Sequence, residues 1–495
     1  MLSLIKNELI KIFKRKSIYF LFILSVIAII IYNYKNPDQN EISSEGSKNM
    51  HIISDTSLES DKNNPESYIS SLAYNELAKL YNDNFEENSW QRYALNEERG
   101  GYSFKNIFTE YNQDIMNYLI NIKDYEYNPN TQITNEIYET SKTKYNEYVE
   151  ALKSNDWKNF VNLKIKNLEE RKNTQTLLPE EIEEINFEID WYYLRLNNNI
   201  NYDDNIINQY LSEYKGIYYL IVYRESLIDV KSQADISELN DYKAKLELYK
   251  YAIENNINYD MSAEKNLILN NKIDARISFI RTFDNFNLIL IIITIYISST
   301  IITEEISKKT IKNLLTKPHK RLTIIMSKVF ACMITIIISM IFIGIVQFFV
   351  GGLTFGFDSY ANGYVGYDIN NNILFNMNLL SYLIISGITK LPEYIIISLF
   401  CIFIGIFNKN IAMSMILTLM ICIFANTALA EWSKVDALSK ITRYFITNNW
   451  NFSTYLFGNI SSINGINLWH SIVVYFVYFV LLLKITVFKF KKLEV

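Results

Sequence analysis

Histidine and cysteine are both scarce, three of each in 495 residues. His51, His319 and His470 fall in a polar lead-in, a charged loop and the rim of an apolar run, so they cannot meet around a metal or build a Ser-His-Asp arrangement. Cys332, Cys401 and Cys422 all lie in apolar runs. The long polar region 35–285 therefore has no cysteine, and disulfides are excluded as what holds it together. Motifs are missing as well. There is no His-Glu-x-x-His run, no Gly-x-Ser-x-Gly elbow and no Gly-x-x-x-x-Gly-Lys-Ser/Thr phosphate loop. The chain is read as neither an enzyme nor a nucleotide-binding protein, with no metal and no cofactor bound directly. Work driven by a nucleotide would have to come from another subunit.

Charge and hydropathy split along the chain. Residues 35–285 hold 27 Lys/Arg against 44 Asp/Glu, a net of −17, and no apolar run there is long enough to cross a bilayer. The rest is basic and carries the apolar runs. Six segments meet the roughly 17 to 25 residues that about 30 Å of hydrocarbon requires: 18–34, 286–303, 329–350, 383–407, 411–430 and 469–488. The fourth is interrupted by Lys390, Pro392 and Glu393, so its start lies either near 383 or near Pro392. The expected fold is all-α: six spans with a mainly helical domain between spans one and two. The domains are 1–34, an amino-terminal helix with the first span; 35–285, the polar domain; and 286–495, five spans with a charged loop at 304–328.

Lysine and arginine set the orientation. They cluster in the amino-terminal tail, in the loop after span two, at Lys409 and in the carboxyl tail, which share one side if the spans number six. Both termini are thus expected in the cytosol and 35–285 outside, in a multi-pass protein of the cell membrane. Residues 29–35 offer no small-residue cleavage site, so the first span is read as an uncleaved anchor. Abundant Ile, Asn, Lys and Tyr suggest an AT-rich bacterial genome.

The loop after span two is unlike a plain linker. It opens with Glu304 and Glu305, continues through seven Lys/Arg ending at Lys328, and breaks at Pro318 and His319. Ile306, Ile311, Leu314 and Leu315 recur within it at helical spacing. Such a segment can lie at the membrane face and present a surface to a cytosolic partner. Glu304 and Glu305 are adjacent and point about 100° apart on a helix, a poor geometry for an acid/base couple. At the amino terminus, Ile5, Leu9, Ile12 and Phe13 oppose Lys6, Lys11 and Lys14, the pattern of a helix lying among lipid headgroups.

Within the polar domain, Tyr145, Tyr148, Val149, Leu152, Trp157, Phe160, Leu163 and Leu168 recur at three-to-four spacing. Pro179 with Glu180 and Glu181 predicts a helix start, and Ile182, Ile185, Ile189, Tyr193 and Leu196 predict its buried face. Leu239, Tyr242, Leu246, Tyr249 and Ile253 predict another. Trp90, Trp157 and Trp191 are read as core rather than as a binding site. Inside the spans, Ser298, Ser299, Thr300, Gln347, Asn426 and Thr427 could line a path or bond across helices and to their own carbonyls. Lys390 and Glu393, three apart, could pair on one helix face.

Glu305, Thr310, Leu314, Leu315, Thr316, Pro318, Arg321 and Lys328 follow the order of a signature found after the second span of ATP-binding-cassette (ABC) permeases of the type 2 exporter class. Lys309 stands where that family commonly has Gly. The stretch 7–16, with Glu8, Lys11, Lys14 and Arg15, is similar to the family's interfacial helix, and 450–456 and 488–495 are similar to the flanks of its last span. The resemblance covers residues 1–34 and 286–495 and leaves out the polar domain. It implies a six-span permease subunit that pairs with a second permease subunit and docks an ABC ATPase subunit, which holds ATP and Mg. Glu304, Glu305, Thr310, Leu314, Leu315, Pro318, Arg321 and Lys328 would couple to that ATPase. Plausible cargo is a peptide, an antimicrobial or an amphiphile, with no nucleic acid involved. The alternative is a membrane-anchored sensor or structural protein whose polar domain receives a ligand.

Overall fold

The computed structural model describes residues 1–35, 64–87, 89–99, 114–174, 176–203, 205–226, 233–259, 261, 274–308, 310–311, 320–424, 429, 432, 436–461, 463 and 465–491. They are overwhelmingly helical and divide into two compact units. One comprises Met1–Asn40, Ile221–Leu248 and Asp260–Val495, the other Glu41–Leu220 and Tyr249–Tyr259.

Among the described residues of the first unit, five helices are long and apolar enough to cross a membrane: Lys16–Lys35, Asn287–Ser307, Arg321–Phe355, Leu379–Asn408 and Leu468–Lys491. Their outward faces remain apolar. Ile23, Ile27 and Ile31 on the first, Ile337, Ile341 and Ile345 on the third, and Val473 and Phe476 on the last are all exposed. A water-soluble surface seldom presents apolar stripes of that length, whereas lipid tails would cover them. The helix in the expected fifth span, Ile411–Phe424, is described over 14 residues, and 425–428, which follow it, lie outside the described residues. The two alternatives for span four resolve into one helix of 30 residues, Leu379–Asn408, that continues through Pro392. Its amino end is capped by Asn378, whose side chain accepts from the Ser381 amide at 2.7 Å.

Between the third and fourth long helices lies a β-hairpin, an addition to the all-helical expectation. Strand β1 (Tyr364–Asp368) pairs antiparallel with β2 (Ile373–Met377), with Gly366 opposite Phe375. Glycine is required there. A Cβ on Gly366 would meet the Phe375 ring at 2.2 Å. That ring instead packs on Phe457, 4.7 Å between centroids, while Tyr364 stacks on Tyr382 at 4.0 Å. Asp368 closes the turn by accepting from the Asn370 amide at 2.9 Å.

The second unit is built from helices that include Pro65–Asn84, Asp114–Tyr127, Asn135–Lys153, Trp157–Thr174 and Pro179–Asn197. Tyr148, Leu152, Phe160 and Leu168 are in its core, as their spacing indicated. The helix expected from Pro179 starts there, with Glu181 reaching back to the Leu178 amide at 2.8 Å. Its buried face is rotated from the expected one. Ile185, Glu188, Trp191, Tyr192 and Arg195 are inside, and Tyr193 is exposed. The reason is local pairing. Trp191 donates to the Leu211 carbonyl at 2.8 Å, and Arg195 stacks 3.8 Å over Tyr202 while bonding Asn208 at 2.8 Å. Arg195, paired in this way, and Glu188, 2.9 Å from Lys215, take core positions that hydropathy alone assigns to the surface. Trp191 is core as expected, and Trp90 and Trp157 are half-buried.

Candidate functional site

The amino-terminal helix Leu2–Phe13 buries Leu4, Glu8 and Ile12, one residue every turn. A carboxylate therefore lies in the middle of its inward face. A short break at Lys14 and Arg15 then hands the chain to the first long helix. Opposite this corner are the last turn of Asn287–Ser307, which carries Glu304 and Glu305, and the second turn of Arg321–Phe355, which carries Lys328.

These residues form one ionic junction. The ammonium of Lys328, wholly buried, is 3.1 Å from Glu8 Oε2 and 2.8 Å from Glu305 Oε2, and donates to the Ile301 carbonyl at 2.9 Å. Lys11 bridges the same two carboxylates from the other side, 2.7 Å from Glu305 and 3.0 Å from Glu8. Arg15 pairs with Glu304 at 2.6 Å and also donates to the Thr300 hydroxyl. Lys308 reaches Glu304 at 2.5 Å. Half-burial works against charge on Lys11, but Glu305 and Glu8 outweigh it and raise its amine above the ordinary range. Glu8, Glu304 and Glu305 are met by Lys11, Arg15 and Lys328 inside the junction, with Lys308 a fourth cation at its exposed edge, so desolvation is offset by pairing.

In the sequence Glu8, Lys11 and Arg15 belong to one group and Glu304, Glu305 and Lys328 to another; the fold joins them. The remaining expected residues are dispersed. The Thr310 hydroxyl donates to the Glu305 carbonyl at 3.3 Å, and Lys14 is exposed. Arg321 turns the other way and caps the end of Leu468–Lys491, donating to the carbonyls of Phe490 at 3.0 Å and Lys491 at 2.6 Å. Lys309, Leu314, Leu315, Thr316, Pro318 and His319 lie outside the described residues, as do His51, Asn426 and Thr427.

The residues read as lining a path are engaged within the helix bundle. The Ser298 hydroxyl is 3.8 Å from Cys332 Sγ, and Ser299 donates to its own helix at Tyr296, 2.9 Å away. Gln347 exchanges amide bonds of 3.1 Å with Asn33 and also donates to Ser278, whose hydroxyl reaches Asn33 at 2.7 Å. This wholly buried knot ties the end of the first long helix to the third. Asn33 and Ser278 had given no sequence signal, since each sits at a boundary where polar residues are ordinary. Lys390 bonds Asp284 and the Phe283 carbonyl, the latter at 3.2 Å, so its ion partner is Asp284 and not Glu393. Among the described residues, no group of three or more His, Cys, Asp or Glu could hold a metal.

No curated protein matches this chain, and no solved structure does. A family model described as "Protein of unknown function (DUF2705)" matches residues 256–495, just under half of the chain, so the segment that carries most of the long apolar helices is similar to that family.

Proposed function

We propose that this chain is the membrane-spanning permease subunit of an ATP-driven ABC exporter, moving a peptide, antimicrobial or amphiphilic cargo by alternating access and energised by a separate ATPase. Six spans, cytosolic termini and an external polar domain complete the reading, with a second permease subunit forming the other half. The observation that carries it is the ionic junction. Glu304 and Glu305 stand just before the loop that would meet the ATPase, and Lys328 just after it. Through Glu8, Lys11 and Arg15, a push on that loop is shared by the amino-terminal helix and by the helices on either side of the loop. Buried ion pairs tolerate little stretching, because separation leaves charges unpaired in a poor solvent. The three helices would therefore move as a body. Glu305 and Lys328 act as positioning residues, leaving the contact itself to the loop.

Co-purification with candidate ABC ATPases tests this. A bound ATPase whose hydrolysis responds to Glu305→Lys, with recovery when Lys328→Glu is added, supports the reading. Absence of any associated ATPase rejects it, and a bound ATPase indifferent to both changes rejects the coupling role. Topology is checked separately. A cysteine at Lys312 is expected to resist an impermeant maleimide applied from outside, and one at Asn199 to react.

A further inference from the structure

The rim at the amino end of the last long helix is basic and aromatic, and it has no place in the coupling scheme. His470 and Lys489 lie 19 residues apart on Leu468–Lys491, about 28 Å along its axis, so they bracket the roughly 30 Å of hydrocarbon a span crosses. Trp469 is 75% exposed, and the exposed Val473 and Phe476 continue its stripe along the helix. Beside this end stands Arg443. Its carbonyl accepts from the Asn449 side-chain amide at 2.8 Å and lies 3.0 Å from His470 Nε2, which fixes its backbone against the helix. The guanidinium is 4.8 Å over the exposed Tyr444 ring and donates to that hydroxyl at 2.8 Å. Gly465 leaves room for it, since a Cβ there would come within 3.0 Å of Nη1. Among the described residues Arg443 has no carboxylate partner, and its Nε has no acceptor. Lys440, three residues earlier and exposed, has no carboxylate partner either.

We infer that Arg443 binds the phosphate of an anionic lipid whose tails lie along Trp469, Val473 and Phe476. Tryptophan and tyrosine favour the headgroup level, and a guanidinium is well matched to phosphate oxygens. The leaflet is the one opposite the ionic junction, because Arg321, two turns before Lys328, caps the other end of the same helix. Cations are sparse on this face. Residues 351–382 contain no Lys or Arg, whereas 431–468, which pack against them through Phe375 and Phe457, hold Lys434, Lys440 and Arg443 against Glu431 and Asp436. A zwitterionic headgroup would bring its own cation against Arg443 and Lys440. An anionic headgroup brings none, so charge selects it.

The test uses the full chain in phosphatidylcholine nanodiscs doped with a brominated-tail lipid, which quenches tryptophan on contact and carries either a phosphatidylglycerol or a phosphatidylcholine headgroup. The difference from Trp469→Phe gives the share of the quenching that belongs to Trp469. That share is expected to favour phosphatidylglycerol about fivefold in apparent affinity, the effect of one cation at a headgroup layer. Arg443→Gln should remove most of the preference and Arg443→Lys should keep most of it. Lys409→Gln should leave it intact, because Lys409 lies at the other end of the bundle, two residues after the Phe407 ring that Lys489 covers. A merely structural role predicts that both Arg443 variants lose the preference together. That result, equal quenching by the two lipids, a preference that survives Arg443→Gln, or one lost as much with Lys409→Gln overturns the inference. So does its loss in excess inorganic phosphate, which would make the occupant a free anion. If Arg443→Gln does not fold, Lys440→Gln takes its place, with the preference expected to fall about twofold and an unchanged preference overturning the inference. The site needs a membrane around the helices and no ATPase, so a failed co-purification leaves it standing.

Discussion

The side chains that decide this molecule are charged groups held where charge is costly. Lys328 has no exposed surface and depends on Glu8, Glu305 and the Ile301 carbonyl. Lys328→Met would leave Glu8 and Glu305 with only the half-exposed Lys11 between them and their buried sides unpaired. A loss of about 3–5 kcal/mol is expected, read as a lower melting temperature in detergent, and larger than the loss for Lys308→Met at the exposed edge. In the second unit, Arg195 plays a comparable part. Arg195→Ala removes the bond to Asn208 and the stack on Tyr202 at once. It should cost about 2–4 kcal/mol, the sum of a charge-assisted hydrogen bond and lost cation–π packing, measurable by denaturant titration of tryptophan fluorescence because Trp191 lies beneath the guanidinium. An unchanged midpoint would remove Arg195 from the core.

At the scale of elements, helices and strands are tied by a few polar or close-packed points. Gln347→Leu would leave Asn33 and Ser278 each short of a partner between the first and third long helices. The expected cost is about 1 kcal/mol, since interhelical hydrogen bonds in membranes are individually modest. The hairpin is less forgiving. Gly366→Val drives a branched side chain into the Phe375 ring and should cost about 1–3 kcal/mol by overpacking, with Phe375→Ala in the same chain restoring part of it. Helix existence and spacing were legible in the sequence: Pro179 starts a helix, and long apolar helices fall at the runs for spans one to four and six. The hairpin was not, because strict alternation over five residues is brief and its stability comes from Phe457 and Tyr382, distant in sequence. Nor was the rotation of the Pro179–Asn197 helix. Glu188 and Arg195 look like surface until Lys215, 2.9 Å from Glu188, and Asn208 are seen to receive them.

For the whole molecule, the three cysteines report on integrity. Cys332, Cys401 and Cys422 are buried and unpaired. Maleimide should therefore label none in the folded protein and three after full denaturation, and reductant should leave the melting temperature unchanged. Rapid labelling under native conditions would mean that the packing of the long helices differs from that described. Which runs form long apolar helices followed from composition alone, because burial of apolar surface and exclusion of charge from hydrocarbon depend on residue type and run length; the unit boundaries did not, since Ile221–Leu248 and the residues from Asp260 on group with the long helices. Tertiary structure decided which charges meet. Glu8, Glu305 and Lys328 are separated by up to 320 residues yet share one junction, while Lys390 passes over its neighbour Glu393 for Asp284. Coulomb attraction between buried groups is set by distances of a few ångströms, and those distances exist only once the helices have packed.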